Sequence, residues 1–332
     1  MIEATPLLEV EGLSVAFKTR GGTILANDSV SISVKAGETL GIVGESGSGK
    51  SVFCRAVLGL AKGEVTVQRL AFEGRDLRAL SAQEMRDLRG RGIAMVFQNP
   101  MSSLDPVWSI GDQLIETVRL HKGLGRQAAR SAAVALLDRV GIAAAARRLD
   151  DYPHHWSGGM LQRAVIALAI AGEPRLMLAD EPTTALDVTI QDQILALLMS
   201  LQRETGMAMI LVSHDLGVIA ETADRVAVMY AGRIVEIAPV RSLFERPLHP
   251  YTVGLLNSMV AGAAQSERLQ PIQGQPPDLL QLGSGCAFAP RCTIAREICR
   301  QSVPRITPLA DHDAACPFPM RGVGQNVLEG AR

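Results

Sequence analysis

The order of elements in this sequence predicts an α/β protein with a mainly parallel sheet covered on both faces, followed by a small Cys/Pro-rich module. Three observations carry the prediction. Beyond residue 172, short apolar runs alternate with segments of helical apolar spacing, and βαβα order builds parallel strands joined by helical crossovers. A glycine-rich loop stands between an apolar strand ending at Val43 and a helix beginning near Lys50. From about Arg246 the texture changes: ten of the 17 prolines lie from Pro247 onward, and four of the five cysteines from Cys286 onward. A length of 332 residues suits two domains or one large one.

In chain order, Leu7–Val10, Leu13–Phe17 and Val30–Val34 show partial period-two patterning and read as short strands. Thr39–Val43 is an apolar strand. Ser81-Ala82-Gln83-Glu84 is a capping box opening a short charged helix, and Ile93–Phe97 reads as a buried strand. Residues of about 101 to 172 look mostly helical, with apolar spacing over Ser109–His121, Arg126–Val140 and Gly159–Ala171. Strands at Leu176–Ala179, Met209–Val212 and Val226–Met229 and a helix over Val188–Arg203 follow.

Composition bounds the function. Apolar residues make up 47 % and charged residues 20 %, enough to bury a sizeable core. A net charge of −1 argues against a protein that wraps nucleic acid. The longest apolar run, Ala164–Gly172, is about half a membrane span. The opening residues lack the basic region and apolar core of a signal peptide. The expectation is a cytoplasmic protein whose membrane role comes through a partner.

The chemistry is written in two places. Gly44-Glu45-Ser46-Gly47-Ser48-Gly49-Lys50-Ser51 fits G-x-x-x-x-G-K-[ST], the phosphate loop of P-loop NTPases. Its glycines let backbone N–H groups ring a phosphate, and the helix N-terminus adds positive potential. Lys50 should reach the β- and γ-phosphates, and the Ser51 hydroxyl should ligate Mg²⁺. The second place is Leu176–Glu181, an apolar strand ending in two carboxylates. Asp180 can hold Mg²⁺. Glu181, facing the other way in strand geometry, can polarise a water at the γ-phosphate.

With these motifs, Trp156-Ser157-Gly158-Gly159-Met160-Leu161-Gln162-Arg163 resembles the signature motif of ABC ATPases. Gln98 matches the Q-loop, Ala185-Leu186-Asp187 the D-loop and His214 the switch histidine, and Phe17 stands where that family places an aromatic ring against adenine. Asn99–Pro106, Pro182–Thr189, His249–Thr252 and Gly285–Cys292 look like the ATPases of oligopeptide/dipeptide importers, and Ser48, Val52 and Met160 suggest the D-type subunit. Trp156 and Leu161 depart from the usual residues beside the signature turn.

The resemblance implies an ABC-type P-loop NTPase over residues 1–245, with a RecA-like parallel core sheet, an antiparallel β subdomain and a helical subdomain of about 101–172. A C-terminal extension spans 246–332. It implies ATP and Mg²⁺ as ligands, with Ser51, Gln98 and Asp180 at the ion, and Glu181 and His214 as catalytic residues. It further implies a head-to-tail dimer with an F-type ATPase in which the partner's Ser157–Gly159 equivalent closes over the nucleotide. Two transmembrane permease subunits would receive the pair at the cytoplasmic face of the inner membrane, near Asn99–Ile115. A periplasmic binding protein would act indirectly, and nucleic acid is not expected. The alternative is a soluble ABC ATPase with a non-transport partner; such proteins usually carry two cassettes or a long coiled coil.

Cys286, Cys292, Cys299 and Cys316 are spaced by five, six and 16 residues. Clustered cysteines in a cytoplasmic chain point to metal rather than disulfides. The spacing fits no common zinc-finger rule, and four thiolates suit either Zn²⁺ or a 4Fe–4S cluster. The resemblance favours the cluster, as a staple for a tail set apart from ATP hydrolysis. Cys54 reads as a small core residue and His312 as a loop histidine.

Overall fold

The computed structural model describes residues 5–184, 186–263, 272–309 and 311–320. The chain opens with β1 (Leu8–Thr19), β2 (Gly22–Val34), β3 (Thr39–Val43) and α1 (Lys50–Val57). Short strands β4 (Glu64–Thr66), β5 (Arg69–Phe72) and β6 (Arg75–Asp76) lead to α2 (Ala82–Arg91) and β7 (Ile93–Val96). A helical stretch follows: α3 (Ile110–Lys122), α4 (Arg126–Arg139), α5 (Ala145–Arg148) and α6 (Gly158–Ile170). Then come β8 (Leu176–Asp180), α7 (Val188–Thr205), β9 (Ala208–Ser213), α8 (Leu216–Thr222), β10 (Arg225–Tyr230) and β11 (Arg233–Pro239). The last elements are α9 (Val240–Glu245), α10 (Pro250–Ala263), α11 (Glu297–Gln301), β12 (Thr307–Leu309) and β13 (His312–Ala314). No helix among the described residues is long and apolar enough to cross a membrane.

The chain folds into two compact units. One comprises the residues up to Leu7, Lys35–Glu38 and Asp76–Ile210. Within it β7 runs parallel to β8, pairing Ile93 with Leu176 through Val96 with Ala179. α3, α4 and α6 pack on one another, and Leu114, Val118, Ala133, Leu137 and Ile166 are fully buried. The helix starts are written locally. Ser81 and Glu84 form the expected capping box on α2, with Ser81 N–H donating to Glu84 Oε2 at 2.8 Å and Glu84 N–H to Ser81 Oγ at 3.2 Å. Trp156 is buried, and its Nε1–H donates to Asp151 Oδ2 at 3.1 Å; Leu161 is buried too. The two unusual residues beside the signature turn are thus absorbed into the apolar packing of this unit.

The other unit comprises Leu8–Val34, Thr39–Arg75 and the chain from Leu211 onward. The three short strands expected before residue 35 are two long ones. β1 pairs antiparallel with β2 from Leu8–Val34 to Thr19–Gly22. Register shifts between Val10 and Ala16 interrupt the alternation, so period-two counting reads one bulged strand as two. β1 also pairs with β4 and β5. β3 runs parallel to β10, β10 antiparallel to β11, β11 to β13 and β13 to β12.

The described residues of the C-terminal extension contribute to the buried core. Tyr251, Leu256, Phe288 and Ala314 are buried. Glu236 on β11 ties it down. Its carboxylate is fully buried and accepts from Leu248 N–H and His249 N–H, both at 2.9 Å, and pairs with His312 Nδ1 at 3.0 Å. A buried carboxylate is tolerated because charge-assisted bonds replace its water. His312 therefore belongs to β13 and not to a loop. Cys54 is a buried core residue, as expected.

His249, before α10, accepts from Tyr251 N–H on Nδ1 at 3.1 Å. Burial pushes its pKa down to about 4, opposed by Glu236. Between pH 6.5 and about 4 the unfolded chain therefore takes a proton at His249 that the folded chain refuses. Its stabilising contribution is complete above pH 6.5 and is lost as the pH falls through this window. Acidification from pH 7 to 5 should lower the thermal midpoint, and His249→Asn, which keeps an acceptor for the helix start, should flatten that dependence. Parallel melts of both proteins across this range check it.

Candidate functional site

The phosphate loop is shaped by backbone sterics. Gly44 has φ 156°, Gly47 φ 78° and Gly49 φ 104°. A Cβ on Gly44 would stand 2.1 Å from the Met229 carbonyl oxygen, and one on Gly49 2.2 Å from that of Ala26. Both positions therefore exclude any other residue. Asn27 Nδ2 donates to the Gly49 carbonyl at 3.1 Å, and Gly232 N–H to that of Ser48 at 2.9 Å. Lys50 is 4 % exposed. Its Nζ donates to the carbonyls of Gly44 at 2.7 Å and Glu45 at 3.0 Å. Ser51 lies in the first turn of α1. A cavity of about 290 Å³ adjoins the loop, lined by Ile24, Glu45–Ser48, Tyr230, Ala231 and Pro276–Leu279. Phe17, half-buried on β1, pairs with Ile24 across the hairpin. His214 is exposed, just past β9.

In the other unit β8 delivers Asp180 fully buried. Glu181 lies beyond the strand and not in its pleat: its φ is 48°, in the left-handed region. For a non-glycine residue this costs on the order of 1 kcal/mol and turns the side chain off the strand's alternation. Gln98 Nε2 donates to Glu181 Oε2 at 3.1 Å and Thr184 Oγ1 to the same oxygen at 2.8 Å. Gln98 and Glu181, 83 residues apart, are thus brought together. Ser157 caps α6 by accepting from Met160 N–H at 3.4 Å, and Asp187 caps α7 by accepting from Ile190 N–H at 3.0 Å. A Cβ on Gly159 would lie 2.7 Å from Ile190 Cγ2, so α6 and α7 approach closely there. A Cβ on the neighbouring Gly158 would lie 3.4 Å from Leu186 Cδ2. Ala185 of the expected D-loop lies outside the described residues.

Sequence reasoning missed Asn27, Tyr251 and Arg291. Tyr251 Oη accepts from Glu45 N–H at 2.9 Å. Arg291 makes a two-pronged pair with Glu45, Nη1 to Oε2 at 2.7 Å and Nη2 to Oε1 at 2.9 Å. The only hint was His249-Pro250-Tyr251-Thr252 and Pro290-Arg291-Cys292, read as family wording and not as contacts. Through Tyr251 and Arg291 the tail touches the phosphate loop at Glu45.

Cys286, Cys292, Cys299 and Cys316 are free thiols in one neighbourhood, with Cys286 N–H donating to the Cys299 carbonyl at 2.7 Å. Burial, then the charges of Cys292, Cys286 and Cys299, pushes the Cys316 thiol up to about 11. Burial raises Cys286 and Cys292 as well. The donor chemistry suits a metal. Among the described residues, however, no three His, Cys, Asp or Glu side chains are gathered closely enough to hold an ion. The expected 4Fe–4S or zinc site therefore has the thiols in its favour and not their geometry.

A family model described as ABC transporter matches residues 27–184, and one described as the oligopeptide/dipeptide transporter C-terminal region matches residues 235–299. The chain is 50 % identical over 321 residues to BAB2_0817 of Brucella abortus, named as a peptide import ATP-binding protein, covering 92 % of this chain and 95 % of that one. It is 48 % identical over 318 residues to BMEII0206 of Brucella melitensis, named likewise, covering 95 % and 96 %. Among solved structures it resembles the dimeric ATP-binding cassette MJ0796 bound to ADP and Pi, at 27 % identity and TM-score 0.64 over 70 % of this chain and 99 % of that one. It also resembles cbiO1 from Clostridium perfringens, part of the ABC transporter complex cbiONQ, at 27 % identity and TM-score 0.62 over 73 % and 91 %. A relative half identical over nearly the whole length leaves no other placement: the chain belongs to the ABC transporter ATP-binding proteins that carry the oligopeptide/dipeptide transporter C-terminal region.

Proposed function

We propose that the chain is the ATP-hydrolysing subunit that energises an importer of peptides or related small solutes, seated on the cytoplasmic face of the cell membrane. The observation that carries this reading is the phosphate loop: three glycines at positive φ wind the backbone between β3 and α1, around a buried lysine. Residues 1–245 form the nucleotide-binding domain, with its helical part at about 101–172, and 246–332 the C-terminal extension.

Backbone N–H groups from Gly44 to Ser51 and the Lys50 ammonium bind the phosphates, and Phe17 faces the base. Ser51, Asp180 and Gln98 offer oxygen ligands of the kind Mg²⁺ takes, and that ion would neutralise phosphate charge. Glu181 orients the attacking water, its carboxylate steadied by Gln98 and Thr184. His214 stabilises the γ-phosphate side. Ser157, Gly158 and Gly159 serve the nucleotide bound by a partner subunit, and Asp187 lies at that interface. Glu181→Gln keeps the shape and removes the base. It should leave ATP binding intact and lower turnover by about 10²–10⁴-fold. ATPase assays alongside equilibrium binding on the assembled transporter check this; near-normal turnover would remove Glu181 from the role.

The partners are a second, F-type ATPase, this chain being D-type by Ser48, Val52 and Met160, and two permease subunits. Support comes from the first unit, where Met101, Val107 and Trp108 expose 50, 73 and 51 % of their surface within six residues of each other or of α3. Apolar exposure of this kind suits a helix docking from a membrane partner. Purification from the native membrane should recover the chain with one other ATPase and two membrane subunits. Val107→Asp should strip the membrane subunits while leaving ATP binding unchanged. Recovery as a homodimer with full partner-independent turnover would contradict the assignment.

Cys286, Cys292, Cys299 and Cys316 bind one 4Fe–4S cluster, with Zn²⁺ as the alternative. The support is four buried or half-buried thiols whose charges act on one another. Such thiols ionise readily only when a metal compensates the charge. Anaerobic purification should give a coloured protein with about four iron and four sulfide per chain, the composition of such a cluster. Colourless protein with one zinc replaces the cluster by zinc, and metal-free protein with a protease-resistant tail rejects both.

A further inference from the structure

We propose that Tyr251 and Arg291, both in the C-terminal extension, are positioning residues for ATP: they hold the first peptide unit of the phosphate loop in the orientation that places Lys50. The Gly44–Glu45 peptide unit has two polar ends. Its carbonyl accepts from Lys50 Nζ at 2.7 Å, and its N–H donates to Tyr251 Oη at 2.9 Å. The next carbonyl, that of Glu45, takes a second Lys50 bond at 3.0 Å. A rotation of this peptide plane would withdraw an acceptor from Lys50 and move its ammonium. The plane is therefore set from one side by the lysine and from the other by a tyrosine 206 residues away in sequence.

Arg291 fixes the same residue through its side chain. The two-pronged pair holds the Glu45 carboxylate in plane, and the guanidinium is itself immobilised. Its Nε donates to the Gln273 carbonyl at 3.0 Å, Nη2 to that of Ile272 at 3.4 Å and Nη1 to Tyr230 Oη at 3.3 Å. The arginine side chain is 6 % exposed and that of Glu45 24 %, so the pair is partly shielded from water. Tyr251 is equally fixed. It is fully buried, 4.5 Å from the Tyr230 ring and 5.4 Å from that of Phe288 between centroids. Burial pushes its phenol pKa far up, so the hydroxyl keeps its proton at any physiological pH. Neither residue needs to touch nucleotide; each acts through Glu45.

A mobile Glu45 lets the loop sample orientations that bind phosphate poorly, and affinity falls by the fraction of chains lost to them. The test measures equilibrium binding of a fluorescent ATP analogue, with the thermal midpoint, on the full chain and its variants. Arg291→Gln should weaken ATP binding by about 5- to 20-fold. Arg291→Lys, which keeps the charge and loses the fork, should fall between. Tyr251→Phe, which keeps the ring, should weaken binding independently of any change in the midpoint. Glu45→Gln should match Arg291→Gln, and the double variant should be no worse than either, because both remove one bond set. A lowered midpoint with unchanged ATP affinity in Arg291→Gln and Tyr251→Phe would make both residues merely structural and overturn the proposal. So would losses at Glu45 and Arg291 that multiply. If Arg291→Gln fails to fold, Tyr251→Phe and Arg291→Lys decide the question alone.

Discussion

The peptide unit between Gly44 and Glu45 is held at both of its polar ends, and the nucleotide loop depends on that constraint. Sterics provide the frame: carbonyl oxygens of Met229 and Ala26 stand where side chains at Gly44 and Gly49 would be. Hydrogen bonds then select one orientation within it, from Lys50 on one side and Tyr251 on the other. Neighbours on β2, β10 and α10, and not any stiffness of its own sequence, define the loop's backbone path. A run of glycine and serine would otherwise be among the most mobile a chain can contain.

The carboxylate at the end of β8 follows a different logic. Glu181 sits at a positive φ that its own backbone disfavours, and two side-chain donors hold it there. Strain on the order of 1 kcal/mol persists only where the surroundings over-determine the conformation. Ser157 and Asp187 show the same economy. Both are engaged as helix caps, so a nucleotide or partner that uses either oxygen must replace a cap worth about 1 kcal/mol. Both side chains are thus already part of the unit's folding.

The strand-loop-helix at Val43–Lys50, the capping box at Ser81, the three long helices of residues 109–171 and the strand at Leu176 appear where local pattern puts them. Each is encoded within a dozen residues, by periodicity, a cap or a glycine that only one backbone conformation suits. β1 is read as two strands because its register shifts break the alternation. Glu181 is placed in the strand because nothing local says that the chain turns left-handed one residue later.

By itself the sequence determined the chemistry on offer: a phosphate loop, a pair of carboxylates, a signature turn and four tail thiols, in the order of one family. Only the tertiary structure decided which of these meet. Arg291 and Glu45 are 246 residues apart, and Glu236 and His312 are 76 apart. No periodicity or spacing rule relates residues at such distances; buried polar groups pair where packing removes water and brings a partner within hydrogen-bond reach. For the same reason the cysteines could be counted in the sequence while their arrangement could not. Composition names the donors, and the fold alone sets the distances between them.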